Sequence, residues 1–190
     1  LSPSDIQDEL NPNPNFTEAY GSSTKPEGYS SSNSTGTGYF VYDAPNNNMI
    51  INTPPAAGVY PKFITPNLGN IVMANSYTVT ITVSNYTAGQ LYARLILDSS
   101  EWTGNTAKFY RLDNYGDLIE GNGVFVYNIP QNATITSTNS SFNSLENKIY
   151  ITPGNTQGFV GTVESISIID NSVDNALIPL EIVATQGSFP

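Results

Sequence analysis

The feature that most constrains this chain is a strict alternation in one run. Tyr77, Val79, Ile81 and Val83 alternate with Thr78, Thr80, Thr82 and Ser84. A strand turns successive side chains to opposite faces, so the run presents an apolar stripe on one side and hydroxyls on the other. A helix, with about 3.6 residues per turn, would scatter the same residues around its circumference. The run therefore predicts a strand with one face on a core and one face in water.

Shorter runs of similar character occur along the chain. Strands are predicted at Tyr39–Tyr42, Met49–Ile51, Val59–Ile64, Leu91–Leu97, Lys108–Leu112, Gly123–Ile129, Asn147–Thr152, Val160–Ile169 and Ile178–Ala184. Pro61 marks the third of these as an edge strand, because proline cannot donate to a ladder. Gly89 is a turn signal, and the strands on either side of it are expected to form a hairpin. No segment has helical periodicity of useful length. Short strands joined by turns predict an all-β fold, an antiparallel β-sandwich of jelly-roll type.

Residues 1–15 read as an extended N-terminal arm, and residues 16–190 as a single domain. Asp5 to Leu10 is compatible with one helical turn capped by Ser4. Asn11-Pro12-Asn13-Pro14 then stops any helix, since each proline lacks a donor and restricts its predecessor. From Thr17 to Gly38 the chain is rich in Ser, Gly and Asn, which predicts a surface loop.

Composition removes several function classes. The 190 residues include no His and no Cys, so Ser-His-Asp and Cys-His catalysis and thiolate or imidazole metal sites are excluded. The net charge is −10, with six basic residues spread along the sequence. Nucleic acid and anionic membranes are therefore not expected partners. No apolar run approaches the roughly 20 residues a helix needs to cross a bilayer. Nothing in the sequence pairs two carboxylates for glycoside hydrolysis, and a non-enzymatic role is expected.

Two stretches carry a family resemblance. They are Tyr77 to Leu91, whose core reads Thr80-Ile81-Thr82-Val83-Ser84-Asn85-Tyr86-Thr87-Ala88-Gly89, and Gly158-Phe159-Val160-Gly161-Thr162-Val163-Glu164-Ser165-Ile166-Ser167-Ile168. Together they resemble the galactose-binding-like jelly roll of carbohydrate-binding modules, in the version found in phage structural proteins. Asn15-Phe16-Thr17-Glu18 is similar to that family's opening segment. The resemblance implies a non-enzymatic virion protein, a capsid decoration subunit or a tail or fibre component, that adheres to glycans. A secreted or cell-surface carbohydrate-binding module is the alternative. It also implies capsid or tail neighbours reached through the N-terminal arm, and a location on the virion or, in the alternative, outside the cell. Sandwich edges and tyrosine-rich loops leave both a homo-oligomer and a monomer open. In the family the acid at the position of Glu164, usually Asp, packs near a structural calcium between the first and last strands. Glu18 belongs to the opening segment of the same arrangement.

Candidate sites follow from residue chemistry. Trp102, between Glu101 and Asn105, can stack an apolar indole face on a sugar ring while its neighbours bond hydroxyls. The commoner role for such a Trp is to anchor a loop over a sandwich edge. Tyr110 and Tyr115 are further candidate glycan contacts, against the plainer reading of β-propensity and rim packing. Asp113, Asp117 and Glu120, or Asp170 and Asp174, offer oxygen ligands for calcium. The plainer reading of each is a solvated turn acid. No organic cofactor is implied, and calcium is the one metal candidate, with Glu18, Glu164, Asp170 and Asp174 as its ligand set.

Overall fold

The computed structural model describes residues 8–17, 25–32, 39–55, 61–101, 107–135, 137–139 and 147–172. They form twelve strands: β1 (Asp8–Glu9), β2 (Ser30–Ser32), β3 (Phe40–Asp43), β4 (Asn48–Thr53), β5 (Lys62–Ile64), β6 (Tyr77–Gly89), β7 (Leu91–Ile96), β8 (Ala107–Arg111), β9 (Gly123–Ile129), β10 (Ser137–Asn139), β11 (Ile149–Pro153) and β12 (Phe159–Asp170). The first sheet has the order β3-β4-β12-β6-β9, with β1 also paired to β12. The second has the order β10-β8-β7-β11-β5-β2. Every pairing is antiparallel. This is the jelly-roll-type sandwich that the alternating strands predict. The predicted strand at Ile178–Ala184 lies outside the described residues.

The core follows from the alternation. Tyr77, Val79, Ile81 and Val83 of β6 are buried, as are Val163, Ile166 and Ile168 of the neighbouring β12. The second sheet contributes Ala93, Leu95, Ile149 and Ile151 to the same cluster. Each fully buried aliphatic side chain contributes about 1.5–3 kcal/mol by leaving water. Tyr77 brings a hydroxyl into this core and bonds it at once, donating to the Val72 carbonyl at 3.2 Å and accepting from the Val72 amide at 2.9 Å. Burial, its largest influence, raises the phenol to about pKa 12.

β5, expected at a sheet edge because of Pro61, instead lies between β11 and β2. Three further expectations are corrected. The strands around Gly89 do not form a hairpin: β6 pairs with β12 and β9 in the first sheet, while β7 pairs with β11 and β8 in the second. Gly89 has φ +87° and Gln90 carries the chain across the sandwich. The cause is close packing, because a Cβ on Gly89 would collide with the Gly158 carbonyl oxygen. Second, Asp8 and Glu9 are strand rather than helical turn, paired to Asp170 and Ile169.

Third, the described part of the arm lies flat on the domain. Residues 1–7 are outside the described residues, but 8–15 run beside β12 where β4 no longer covers it. The Leu10 amide donates to the Ile168 carbonyl at 2.8 Å, and the Ile166 amide to the Pro14 carbonyl at 2.9 Å. Pro12 and Pro14 have no N–H to give. The Asn11 side chain compensates by donating to the Ile166 carbonyl and to the Tyr29 hydroxyl. Tyr29 itself is buried and stacked on Phe63 at 4.9 Å, so the Ser/Gly-rich stretch expected as a surface loop contains a core residue and the β2 strand.

Candidate ligand-binding cleft on the second sheet

Parity decides what the outer face of the second sheet carries. Ala93 and Leu95 point into the core, so Tyr92 and Arg94 of β7 point out. On β11, Ile149 and Ile151 point in and Tyr150 and Thr152 out. On β8, Tyr110 points in and Phe109 and Arg111 out. Register places these side chains side by side: Tyr150 opposite Arg94, Arg94 opposite Arg111, and Thr152 opposite Tyr92.

The result is a lattice of cations and rings. The Arg94 guanidinium lies 5.4 Å from the Phe109 ring centre, Arg111 lies 5.9 Å from Tyr92, and the Lys62 ammonium lies 5.9 Å from Tyr150. Two of these rings, Phe109 and Tyr150, join Ile64, Ile96 and Ala107 in a second buried apolar cluster, separate from the main core. Burial, and then the neighbouring Arg94 charge, lowers the Lys62 pKa below the usual lysine value.

At one end of this face the sheet opens into a cleft of about 300 Å³. Its floor is Tyr92, Arg94, Arg111 and Thr152, and its wall is Pro153 with Asn155, Thr156 and Gln157. Tyr92 is oriented by donating its hydroxyl to Gln90 Oε1 at 2.9 Å, and Gln90 Nε2 donates to Glu120 at 3.1 Å. Arg111 is aimed by Asp113, which accepts from Nε at 3.2 Å and from Nη2. Two of the five guanidinium donors are thereby used.

The wall is the five-residue connection from β11 to β12, fixed at both ends. The Gly154 amide donates to the Gln90 carbonyl at 2.7 Å, and the Gly158 amide to the Gly154 carbonyl at 2.8 Å. Gly158 has φ +63°, and a Cβ there would overlap the Thr53 carbonyl oxygen. Only glycine fits both demands. Thr156 donates to Gln157 Oε1 at 2.9 Å, which sets the amide that faces the cleft.

One polar atom in the cleft is unsatisfied. The Thr152 hydroxyl is buried and has no hydrogen-bond partner among the described residues. Leaving a buried hydroxyl unpaired costs about 1–3 kcal/mol.

The residues singled out from sequence lie elsewhere. Trp102, Asn105, Glu18 and Asp174 are outside the described residues. Glu101 ends a short 3-10 turn at Ser99–Glu101. Tyr110 is buried, and Tyr115 meets it edge-on at 5.8 Å. Tyr115 also donates its hydroxyl to the Thr134 carbonyl at 3.0 Å. The Tyr110 ring is part of the core cluster because its position on β8 has inward parity, so no sugar ring can lie on it. Burial raises its phenol to about pKa 12.

Of the proposed calcium ligands, Glu18 and Asp174 lie outside the described residues, and Glu164 and Asp170 do not meet at one point. Glu164 accepts from the Ser84 hydroxyl, while Asp170 accepts from Asn75 Nδ2 at 2.7 Å and the Ser172 amide at 2.9 Å. Both lie on β12, and six residues of strand span about 20 Å, so one ion cannot hold both. Asp113 pairs with Arg111, and Glu120 with Gln90. Among the described residues no three acidic side chains gather around a common point.

Sequence reasoning did not single out Tyr92, Arg94, Arg111, Thr152, Asn155 or Gln157. Parity within the predicted strands at Leu91–Leu97 and Asn147–Thr152 does put Tyr92 with Arg94, and Tyr150 with Thr152, on one face each. Strand register, which brings them together, leaves no local mark.

No family model matches the chain. No curated protein matches it. Among solved structures the chain is similar to a mutant of a family 29 carbohydrate-binding module studied for ligand recognition. The two are 14% identical over 87% of this chain and 85% of that chain, with a TM-score of 0.44.

Proposed function

We propose that this protein is a non-catalytic glycan-binding domain and that the cleft on the second sheet is its ligand site. The observation that carries the reading is the buried, unpartnered Thr152 hydroxyl beside the Tyr92 ring. A pyranose ring offers C–H groups to pack on an aromatic side chain and hydroxyls that both give and accept hydrogen bonds. Thr152, Asn155, Gln157 and the two arginines supply both kinds of partner. Among the described lining residues none is acidic.

Calorimetric titration against a glycan library, with Tyr92→Ala and Thr152→Val alongside, tests the reading. Binding that falls at least tenfold in both variants supports it. Binding unchanged in both overturns the choice of site.

The finer reading is adhesion from a virion, as a capsid decoration subunit or a tail or fibre component. Its support is that the two stretches carrying the family resemblance are neighbouring strands, with β6 paired to β12 from Tyr77–Asp170 to Gly89–Phe159. Mass spectrometry of purified particles decides this: a fixed copy number per particle supports the virion setting. Recovery only as free extracellular protein replaces it with the secreted-module reading.

A further inference from the structure

We infer that the cleft takes the terminal sugar of a glycan, held as a single ring, and does not take an internal stretch of a chain. This rests on the glycan-binding reading of the same site.

The first argument is the number of ring platforms. A glycan lying along a sheet needs an apolar surface under successive sugars, because the C–H face of each pyranose has to leave water. Among the described residues lining the cleft, Tyr92 is the only aromatic. The other two rings with outward parity on this face are Phe109 and Tyr150, and they are 3% and 5% exposed. The Arg94 guanidinium stands 5.4 Å from the first ring centre and the Lys62 ammonium 5.9 Å from the second. A second sugar running along the sheet from Tyr92 therefore meets long polar side chains over buried rings, with no apolar face to lie on. Tyr92 is itself restricted. Arg111 lies 5.9 Å from its ring centre and is held there by Asp113, so the ring keeps at most one face for a ligand. Its hydroxyl is taken up by Gln90 Oε1 at 2.9 Å. One ring with one face holds one pyranose.

The second argument is the wall. The connection from β11 to β12 bounds the cleft where β11 leaves the sheet. It is closed across its base, where Gly154 and Gly158 form an antiparallel bridge, and the Gly154 amide ties it to the Gln90 carbonyl at 2.7 Å. A Cβ on Gly154 would stand 3.2 Å from Gln157 Oε1 and 3.4 Å from Gln90, so the connection is packed against the start of β7. A chain passing through the cleft in this direction would have to displace it.

The third argument is the match of polar groups to one sugar. The cleft holds about 300 Å³, the small end of the range for ligand pockets. Within it the Thr152 and Thr156 hydroxyls and the Asn155 and Gln157 amides gather around the one ring platform. An internal sugar has two of its oxygens tied into linkages at opposite ends of the ring. A non-reducing terminal sugar has one linkage, and its free hydroxyls run round the rest of the ring. Polar groups that converge on a single position fit the second pattern.

The test counts proteins per chain. Gluco-, manno-, galacto- and xylo-oligosaccharides, as single sugars, pairs and hexamers, are titrated calorimetrically into the whole protein, followed by the long polymer of whichever series binds. The expected result is a hexamer affinity within about threefold of the pair's, and one protein bound per polymer chain however long the chain. Affinity that climbs about tenfold or more from pair to hexamer, or several proteins bound along one chain, overturns the inference and leaves glycan binding standing. Tyr92→Ala should weaken pair and hexamer alike, and Tyr92→Phe should retain most of the binding. Thermal melts of both variants confirm that they are folded. Hexamer binding that survives Tyr92→Ala overturns the inference as well. Binding in none of the series overturns both this inference and the glycan reading.

Discussion

The two outer faces of this sandwich are built from the same kind of strand and differ in almost everything else. The first sheet presents Thr78, Thr80, Thr82 and Ser84, with apolar positions toward its margins: Val124 is 63% exposed, Val41 46% and Val126 44%. Its polar groups bond one another. Thr78 donates to Asn128 at 3.1 Å and accepts from Asn171 at 2.9 Å. The second sheet presents cations over rings, a cross-strand pair of like charges and an unpaired buried hydroxyl. Each sheet keeps a buried side-chain oxygen without a partner among the described residues, Asn48 Oδ1 on β4 and Thr152 Oγ1 on β11. The second sets cations against rings where the first sets hydroxyls against amides. The second sheet is the face that carries the proposed ligand site, and is called the working face below in that sense.

The largest effect should come from breaking the working face at its wall. Gly158→Val adds a branched side chain at φ +63°, where a single Cβ already overlaps the Thr53 carbonyl. A loss of about 3 kcal/mol or more is expected in a urea melt, with binding lost as the 154–158 connection shifts. Val126→Thr on the first sheet, at a 44% exposed position, should change stability by no more than about 0.5 kcal/mol. Equal effects of the two changes would remove the asymmetry.

That experiment also shows how much was written locally. The first sheet's face was legible because one strand, β6, is long and alternates without a break, so a single stretch states both its core side and its solvent side. Gly89 and Gly158 were visible too, as ends of the two resembling stretches. Their mutual packing was not, and Gly89 therefore read as a hairpin turn when it marks a crossing between sheets. The cleft was illegible for a related reason. Arg94 and Arg111 are neighbours only through the register of β7 on β8, and Thr152 meets Tyr92 only through β11. Trp102 and Tyr110 drew attention as single residues of suitable chemistry. Tyr110 fails because one step of parity on β8 separates it from Arg111, which does face out.

A smaller effect sharpens the comparison at the site itself. Tyr92→Ala should weaken glycan binding by roughly tenfold or more, from loss of the stacking surface, while the fold remains intact. Thr80→Ala, the same truncation on the first sheet, should leave affinity unchanged in the same titration. Weakening by both would place the ligand elsewhere.

Thr152→Val carries a prediction of opposite sign for stability and for function. The hydroxyl is buried without a partner, so replacing it with a methyl removes an unmet polar group at constant shape. A gain of up to about 1 kcal/mol in unfolding free energy is expected, accompanied by weaker glycan binding. The matching change on the first sheet, Thr78→Val, removes a hydroxyl that has two partners and should lower stability slightly. If Thr152→Val destabilises as much as Thr78→Val does, the hydroxyl is satisfied in solution and the conflict is absent.

The smallest expected effect is a pH dependence confined to the working face. Burial and the Arg94 charge hold the Lys62 pKa below 10.5, so the folded protein gives up this proton more readily than the unfolded chain. In the window between the two values the unfolded state binds more protons, and stability contributed by this group rises with pH. Lys62 is only half-buried, so the slope is shallow. Tyrosine works against it in the same range: Tyr77 and Tyr110 ionise near 10 when unfolded and near 12 when folded, which costs stability as pH rises from 10 to 12. The two contributions separate by subtraction. Unfolding free energies of the wild type and Lys62→Met, measured from pH 8 to 10.5, should converge as pH rises, with the variant the more stable at the lower end. Parallel curves would mean that Lys62 feels no field from Arg94, and that the positive character of the second sheet is weaker than its geometry implies.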